Sequence, residues 1–189
     1  MIRTGDTIHN PVTGERITFL ATSADTDAEA VVIETVVQPH GSVAAAHVHP
    51  SQGERFAVKS GKLGMKVGRE RRTLEAGQWL TVEPGTSHRF WNDGDEPVTF
   101  VCEIRPALQF ESLLETMFAL AADGKTNRKG LPNPVRMAVI SRAHRHVIRL
   151  AGVPAWLQDL GTATALPLAR LAGYGPTYVP APVLAPAPA

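Results

Sequence analysis

The spacing of chain breakers between residues 1 and 106 restricts the fold more than any other feature of the sequence. Runs rich in Val, Thr and Phe are interrupted every ~6–10 residues by Gly, Pro, Asn or Asp, which leaves no room for ordinary helices and fits a β-sandwich or barrel. Strands are expected at 16–22, 30–37, 44–49, 54–60, 63–67, 78–82, 87–92 and 97–104. Tight reversals are expected at Ser60-Gly61-Lys62 and Asp93-Gly94, because glycine accepts the positive φ that such turns demand.

The periodicity changes after Pro106. Leu108, Phe110, Leu113, Leu114, Met117, Phe118 and Ala121 recur at helical spacing, with Gly124 placed to end the helix. This apolar stripe is expected to pack on the outside of the barrel or on a second subunit, not to line a cofactor pocket. A basic, proline-bounded loop follows at 125–134, then a second helix at 135–150. Residues 151–171 are apolar but interrupted by Pro154, Gln158, Asp159, Pro167 and Arg170, so they fall short of the ~20 apolar residues of a membrane span. A short amphipathic helix docking on the barrel or a partner is expected there. Residues 176–189 hold prolines and alanines without charge, the composition of an extended, disordered tail. The organisation is thus a β-domain at 1–106, a helical extension at 107–175 and the tail.

A formal net charge of +1 provides no field to attract nucleic acid or an anionic membrane surface, which leaves a small molecule or another protein as the expected partner. Cys102, the single cysteine, excludes an internal disulfide and a cysteine-based zinc cluster. The thiol lies mid-strand without a basic neighbour in sequence, so it is expected to pack and not to react. The opening residues Met1 to Asp6 lack the apolar core of a secretory signal, and a cytoplasmic location is expected.

His47 and His49 stand at i and i+2 in an expected strand, so both imidazoles leave one face. A turn at Pro50-Ser51-Gln52-Gly53 then brings Glu54 back beside them across a hairpin. His88 follows the turn-like Glu83-Pro84-Gly85-Thr86 and shares a strand face with Phe90 and Asn92. An isolated pair of histidines on a strand means little; three imidazoles and one carboxylate suit one divalent Fe, Mn, Ni, Co, Cu or Zn ion with open positions left over. Residues of like parity should line the pocket around them: Val43 and Ala45 with His47, Phe56 and Val58 with Glu54, and Phe90 with His88, while Arg89 and Trp91 face outward.

The spacing resembles the cupin family. Its first motif, G-x5-H-x-H-x4-E-x6-G, is matched without gaps by Gly41, His47, His49, Glu54 and Gly61. The second, G-x5-P-x-G-x2-H-x3-N, is matched by Gly77, Gly85, His88 and Asn92, with Glu83 in place of the proline and Pro84 one residue late. That departure touches the turn before the ligand strand, not the ligand. The resemblance covers about two fifths of the chain, with its motifs at 41–92, and implies a mainly β, jelly-roll β-barrel or sandwich with the metal inside, here followed by a C-terminal α-helical extension. It also implies an activity: a mononuclear oxygenase or dioxygenase acting on a small apolar, enolic or aromatic molecule, with Glu54 as ligand and proton acceptor. A zinc-type isomerase or cyclase and a non-catalytic ligand-binding or scaffold module stand as alternatives. Cupin barrels often pair through their outer sheets, so a homodimer is expected.

Two further patterns carry less. Gly124-Lys125-Thr126 resembles the end of a phosphate-binding loop, but Ala119 stands where that loop needs glycine and the context is a helix. His144 and His146 form a second H-x-H, but in a helix an i, i+2 pair diverges, and both are expected at the surface.

Overall fold

A computed structural model describes residues 2–179. The chain is mainly β, with the strands in order β1 (Thr7–Asn10), β2 (Glu15–Ala21), β3 (Val31–Val37), β4 (His47–Val48), β5 (Gly53–Ser60), β6 (Lys62–Val67), β7 (Glu70–Glu75), β8 (Trp79–Val82), β9 (His88–Asn92) and β10 (Val98–Arg105). Helices α1 (Phe110–Ala122) and α2 (Pro134–Ala143) follow, then a two-residue strand β11 (Arg149–Leu150) and helix α3 (Ala155–Leu171). Among the described residues the strands form two antiparallel sheets, β1-β2-β3-β10-β5-β8 and β11-β4-β9-β6-β7, closed on each other as a jelly-roll sandwich.

Alternation along the strands builds the core. In β3 and β10 every second residue is buried, putting Val31, Ile33, Thr35 and Val37 beside Val98, Phe100, Cys102 and Ile104. Phe56, Phe90 and Phe100 meet at ring-centroid distances of 5.4–6.1 Å, a tilted and edge-on cluster at the centre of the barrel. The two fully buried rings, Phe56 and Phe100, each contribute about 2–3 kcal/mol through the apolar surface they remove from water. Gly61, at φ +77°, makes the β5–β6 reversal; a side chain there would press on Pro97 and Val98. Asn92, at the end of β9, donates to the carbonyls of Val37 and Glu96 and accepts from the Gly94 amide, tying the β9–β10 turn to β3.

The strand expectations hold to within a few residues, with three exceptions. The expected strand at 44–49 is reduced to His47–Val48, because residues 44–46 bend away from the sheet. β1 and β7 were not anticipated. The Glu-Arg-Arg-Thr-Leu-Glu sequence of β7 lies at a sheet edge with Leu74 as its buried residue, and an edge strand with one covered face can carry charge almost throughout.

The helical region corrects the sequence reading further. α2 stops at Ala143 instead of continuing to 150, and the following residues turn back so that β11 pairs with β4. The expected amphipathic helix at 151–171 is α3, which packs on α2 yet leaves Trp156, Leu160, Leu168 and Leu171 exposed. No helix among the described residues is long and apolar enough to cross a membrane. The tail expected at 176–189 begins within the described residues, where Tyr178 is held by Thr116, Asp123 and Lys125; residues 180–189 lie outside them. His144 is buried, not superficial: it caps α2, with Nδ1 2.9 Å from the Ile140 carbonyl, whereas His146 is exposed. Burial holds the His144 pKa below its usual value.

Candidate metal centre

The short β4 strand lies directly opposite β9, with His47 paired to His88 across the ladder. Glu54 sits at the start of β5, in the other sheet, and reaches the same point from across the barrel. His49 follows immediately after β4. The Gly85 amide donates to the His49 carbonyl, so the Glu83-Pro84-Gly85-Thr86 turn, which departs from the usual motif, is tied to the ligand strand it must support. His47, His49, Glu54 and His88 are all buried, and one donor atom from each falls within 4.8 Å of the others.

The histidines are oriented from behind. Nδ1 of His47 lies 2.9 Å from the Ala45 carbonyl, that of His88 3.0 Å from the Thr86 carbonyl, and that of His49 2.6 Å from the Val147 carbonyl. A carbonyl only accepts, so each Nδ1 carries the proton and each Nε2 lone pair turns inward. Such backbone support is the usual second layer of a histidine metal site. The Val147 carbonyl comes from the turn after α2, so the extension beyond the β-domain fixes one of the four candidate ligands.

Inside the cluster, His88 Nε2 is 2.7 Å from Glu54 Oε2 and His49 Nε2 is 3.6 Å from Glu54 Oε1. Neither His88 Nε2 nor Glu54 Oε2 has a well-aligned hydrogen bond. Burial alone would raise the Glu54 pKa, but the surrounding histidines outweigh it and hold the carboxyl at about 2. Burial, reinforced by His88 and His49, lowers His47 to about 4, so that imidazole is neutral at neutral pH. His88 moves the other way: burial lowers it, and the nearby Glu54 carboxylate more than reverses this. Two orphaned buried atoms competing for one proton, beside further inward lone pairs, is a donor set that fits a divalent cation in the proton's place.

Two small chambers adjoin the cluster. The inner one, of about 100 Å³, includes His47, His49, Glu54, Phe56, Phe90 and Cys102 in its wall. The outer one, of about 130 Å³, is bounded by Val43, Ala45, His47 and the α1 residues Leu113, Leu114 and Met117. Of the expected lining residues, Val43, Phe56 and Phe90 border the inner chamber and Ala45 the outer one. Val58 is buried on the same strand face as Phe56 but borders neither chamber, since two residues further along a strand is about 7 Å deeper in the barrel. Arg89 is exposed and Trp91 half-buried, with Arg71 stacked 4.6 Å from the Trp91 ring. Cys102 packs between Ile33 and Phe56, and burial pushes its thiol pKa well up, which keeps it protonated.

The expectation that α1 would stay clear of the pocket is overturned. Phe110, Leu113 and Leu114 line the inner chamber, and the Phe110 ring lies 5.8 Å from that of His49. An apolar stripe reports only that a helix face is covered, not by what. Sequence reasoning also missed Glu15, which begins β2, is 6% exposed and borders both chambers. Burial raises its pKa to about 7, while the nearby Thr13 hydroxyl draws it back slightly without forming a good hydrogen bond. The available signal was parity: Glu15 shares its strand face with the buried Ile17 and Phe19.

The fold and the cluster define a class: a jelly-roll barrel with a buried candidate site of three histidines and one carboxylate for a divalent metal ion. Residues 33–103 match the cupin domain family, and the chain belongs to the cupin superfamily through this domain. Similar solved structures include a conserved protein with a double-stranded β-helix domain from Klebsiella pneumoniae, at 25% identity over 57% of this chain and 84% of that one, with a TM-score of 0.44. A cupin-superfamily sugar phosphate isomerase from Silicibacter pomeroyi shows 21% identity over 51% and 62%, at 0.45. A predicted oxalate decarboxylase from Thermotoga maritima shows 19% identity over 56% and 98%, at 0.49. Among curated proteins none matches the sequence.

Proposed function

We propose that the protein is a mononuclear metalloenzyme of the oxygenase kind, acting on a small apolar, enolic or aromatic molecule. The observation that carries this reading is the convergence of His47, His49, Glu54 and His88 beside a chamber whose wall includes the first three and is otherwise mostly apolar. A redox-active ion bound there would supply one-electron chemistry toward oxygen and an electrophilic contact for the substrate. The chain's own residues divide the remaining work. His47, His49 and His88 present fixed Nε2 lone pairs, and Glu54, ionised at neutral pH, can accept a proton at Oε2 beside His88. Phe110, Leu113 and Leu114 exclude water from the chamber. Glu15, with a pKa of about 7, stands ready either to donate a hydrogen bond to a substrate oxygen or to accept a proton. A homodimer in the cytoplasm completes the reading, with the exposed apolar face of α3 as the surface for the second copy.

Elemental analysis of protein purified without an affinity metal tests the proposal. About one equivalent of Fe, Mn, Ni, Co or Cu, with oxygen uptake on phenolic or enolic compounds, supports it. Zinc would redirect the assignment to isomerisation or cyclisation, and failure to bind any ion after reconstitution would overturn it.

A further inference from the structure

A surface cleft of about 520 Å³ adjoins the outer chamber, sharing Thr13, Val43, Ala44 and Ala45 as a common wall. Its rim carries Arg89, Arg128 and Lys129, and no acidic residue lines it. Among the described residues none of these three cations has an ion-pair partner. At its base the Thr13 hydroxyl is buried and without a hydrogen-bond partner. His40, also in the lining, holds φ +65°, a left-handed conformation that a non-glycine residue keeps only when its surroundings impose it.

The basic loop is built, not loose. The Asn127 side chain accepts from the Lys129 and Leu131 amides at 2.8 and 3.2 Å, the Asn127 amide donates to the Leu131 carbonyl, and Gly130 packs against Thr13. The backbone that carries Arg128 and Lys129 is thereby fixed beside the cleft, which leaves their side chains as the part to be ordered on binding.

We propose that this cleft binds the anionic end group, carboxylate or phosphate, of an amphipathic small molecule whose apolar body enters the outer chamber between Val43 and the α1 residues Leu113, Leu114 and Met117. Arg128, Lys129 and Arg89 receive the charge, and the Thr13 hydroxyl donates a hydrogen bond at the neck. The proposal rests on the chambers being the ligand site of the preceding section, and adds the class of ligand: an acid with an apolar chain or ring.

The test uses the full chain and four probes, octanoate, octyl phosphate, 1-octanol and inorganic phosphate, titrated by calorimetry and amide NMR. Octanoate or octyl phosphate is expected to bind at least about tenfold more tightly than 1-octanol or inorganic phosphate, and whichever of the two binds better identifies the end group. Arg128→Ala with Lys129→Ala is expected to weaken that binding about tenfold while leaving the melting temperature and the metal content unchanged. Equal affinity for octanoate and 1-octanol, unchanged affinity in the double variant, or no binding of either amphiphile would overturn the proposal. Metal content measured on the same samples separates this failure from failure of the metal assignment.

Discussion

Replacing Glu15 by glutamine should make the protein more stable at alkaline pH and leave it unchanged at acid pH. The carboxyl is raised from 4.5 to about 7 because burial disfavours its charged form, so the folded state binds this proton more tightly than the unfolded chain does. Below pH 4.5 the group is neutral in both states and contributes nothing that glutamine lacks. As pH rises toward 7 the unfolded chain ionises first, and the stability that the neutral carboxyl conferred is lost. At about 1.4 kcal/mol per tenfold change in proton affinity, the loss is complete above 7 and amounts to about 3 kcal/mol. Glutamine has nearly the same shape and never ionises, so the gap between variant and wild type should open from near zero at about pH 4 to about 3 kcal/mol at about pH 8. Urea unfolding of both proteins, freed of metal by a chelator so that the candidate ligands behave alike in each, measures this gap directly. Parallel stability profiles, or a variant less stable than wild type at high pH, would refute the reasoning that Glu15 is a buried acid.

His47→Ala should reduce bound metal from about one equivalent to about a tenth or less while the far-ultraviolet spectrum stays that of a β-protein, since second contributors to such sites alone shift affinity by about 10–100-fold and His47 is a proposed direct ligand. Gly64→Ala should destabilise the barrel by about 1–3 kcal/mol, because the added methyl would lie 2.2 Å from the Trp91 ring; urea unfolding and a shift of tryptophan emission report the displaced indole. Phe110→Ala should cost about 3–5 kcal/mol by emptying the chamber wall beside His49, with faster solvent exchange at that imidazole visible by NMR; a neutral substitution would mean that α1 does not close the chamber.

The ligand set was legible because strand geometry makes it local. His47 and His49 share a face by alternation, and the turn at 50–53 does return Glu54 to them, though by crossing to the facing sheet and not through the expected hairpin; His88 meets His47 through the β4–β9 pairing, which the motif spacing anticipated. The closure of the site was not legible. Phe110, Leu113 and Leu114 announce a covered helix face, but whether the cover is a barrel mouth or another subunit is a matter of tertiary path. The strand at Arg149–Leu150 was hidden by the run of helix formers before it, because pairing with β4 outweighs the local preference of a two-residue segment. Glu15 was passed over because the expected strand began one residue after it; only with Glu15 counted in the strand does its parity with Ile17 and Phe19 argue for burial.

The carbonyl that orients His49 lies 98 residues further along the chain. In order of synthesis, all four side chains of the candidate centre are part of the chain by residue 88, yet the atom that fixes one of their rings is added only with Val147. The strand that covers His47 follows two residues later. A growing chain therefore carries all four candidate ligands before it can orient His49. A chain cut after residue 106 would keep all four candidate ligands and lose the carbonyl that orients His49, so it is expected to bind a divalent ion more weakly than the full chain.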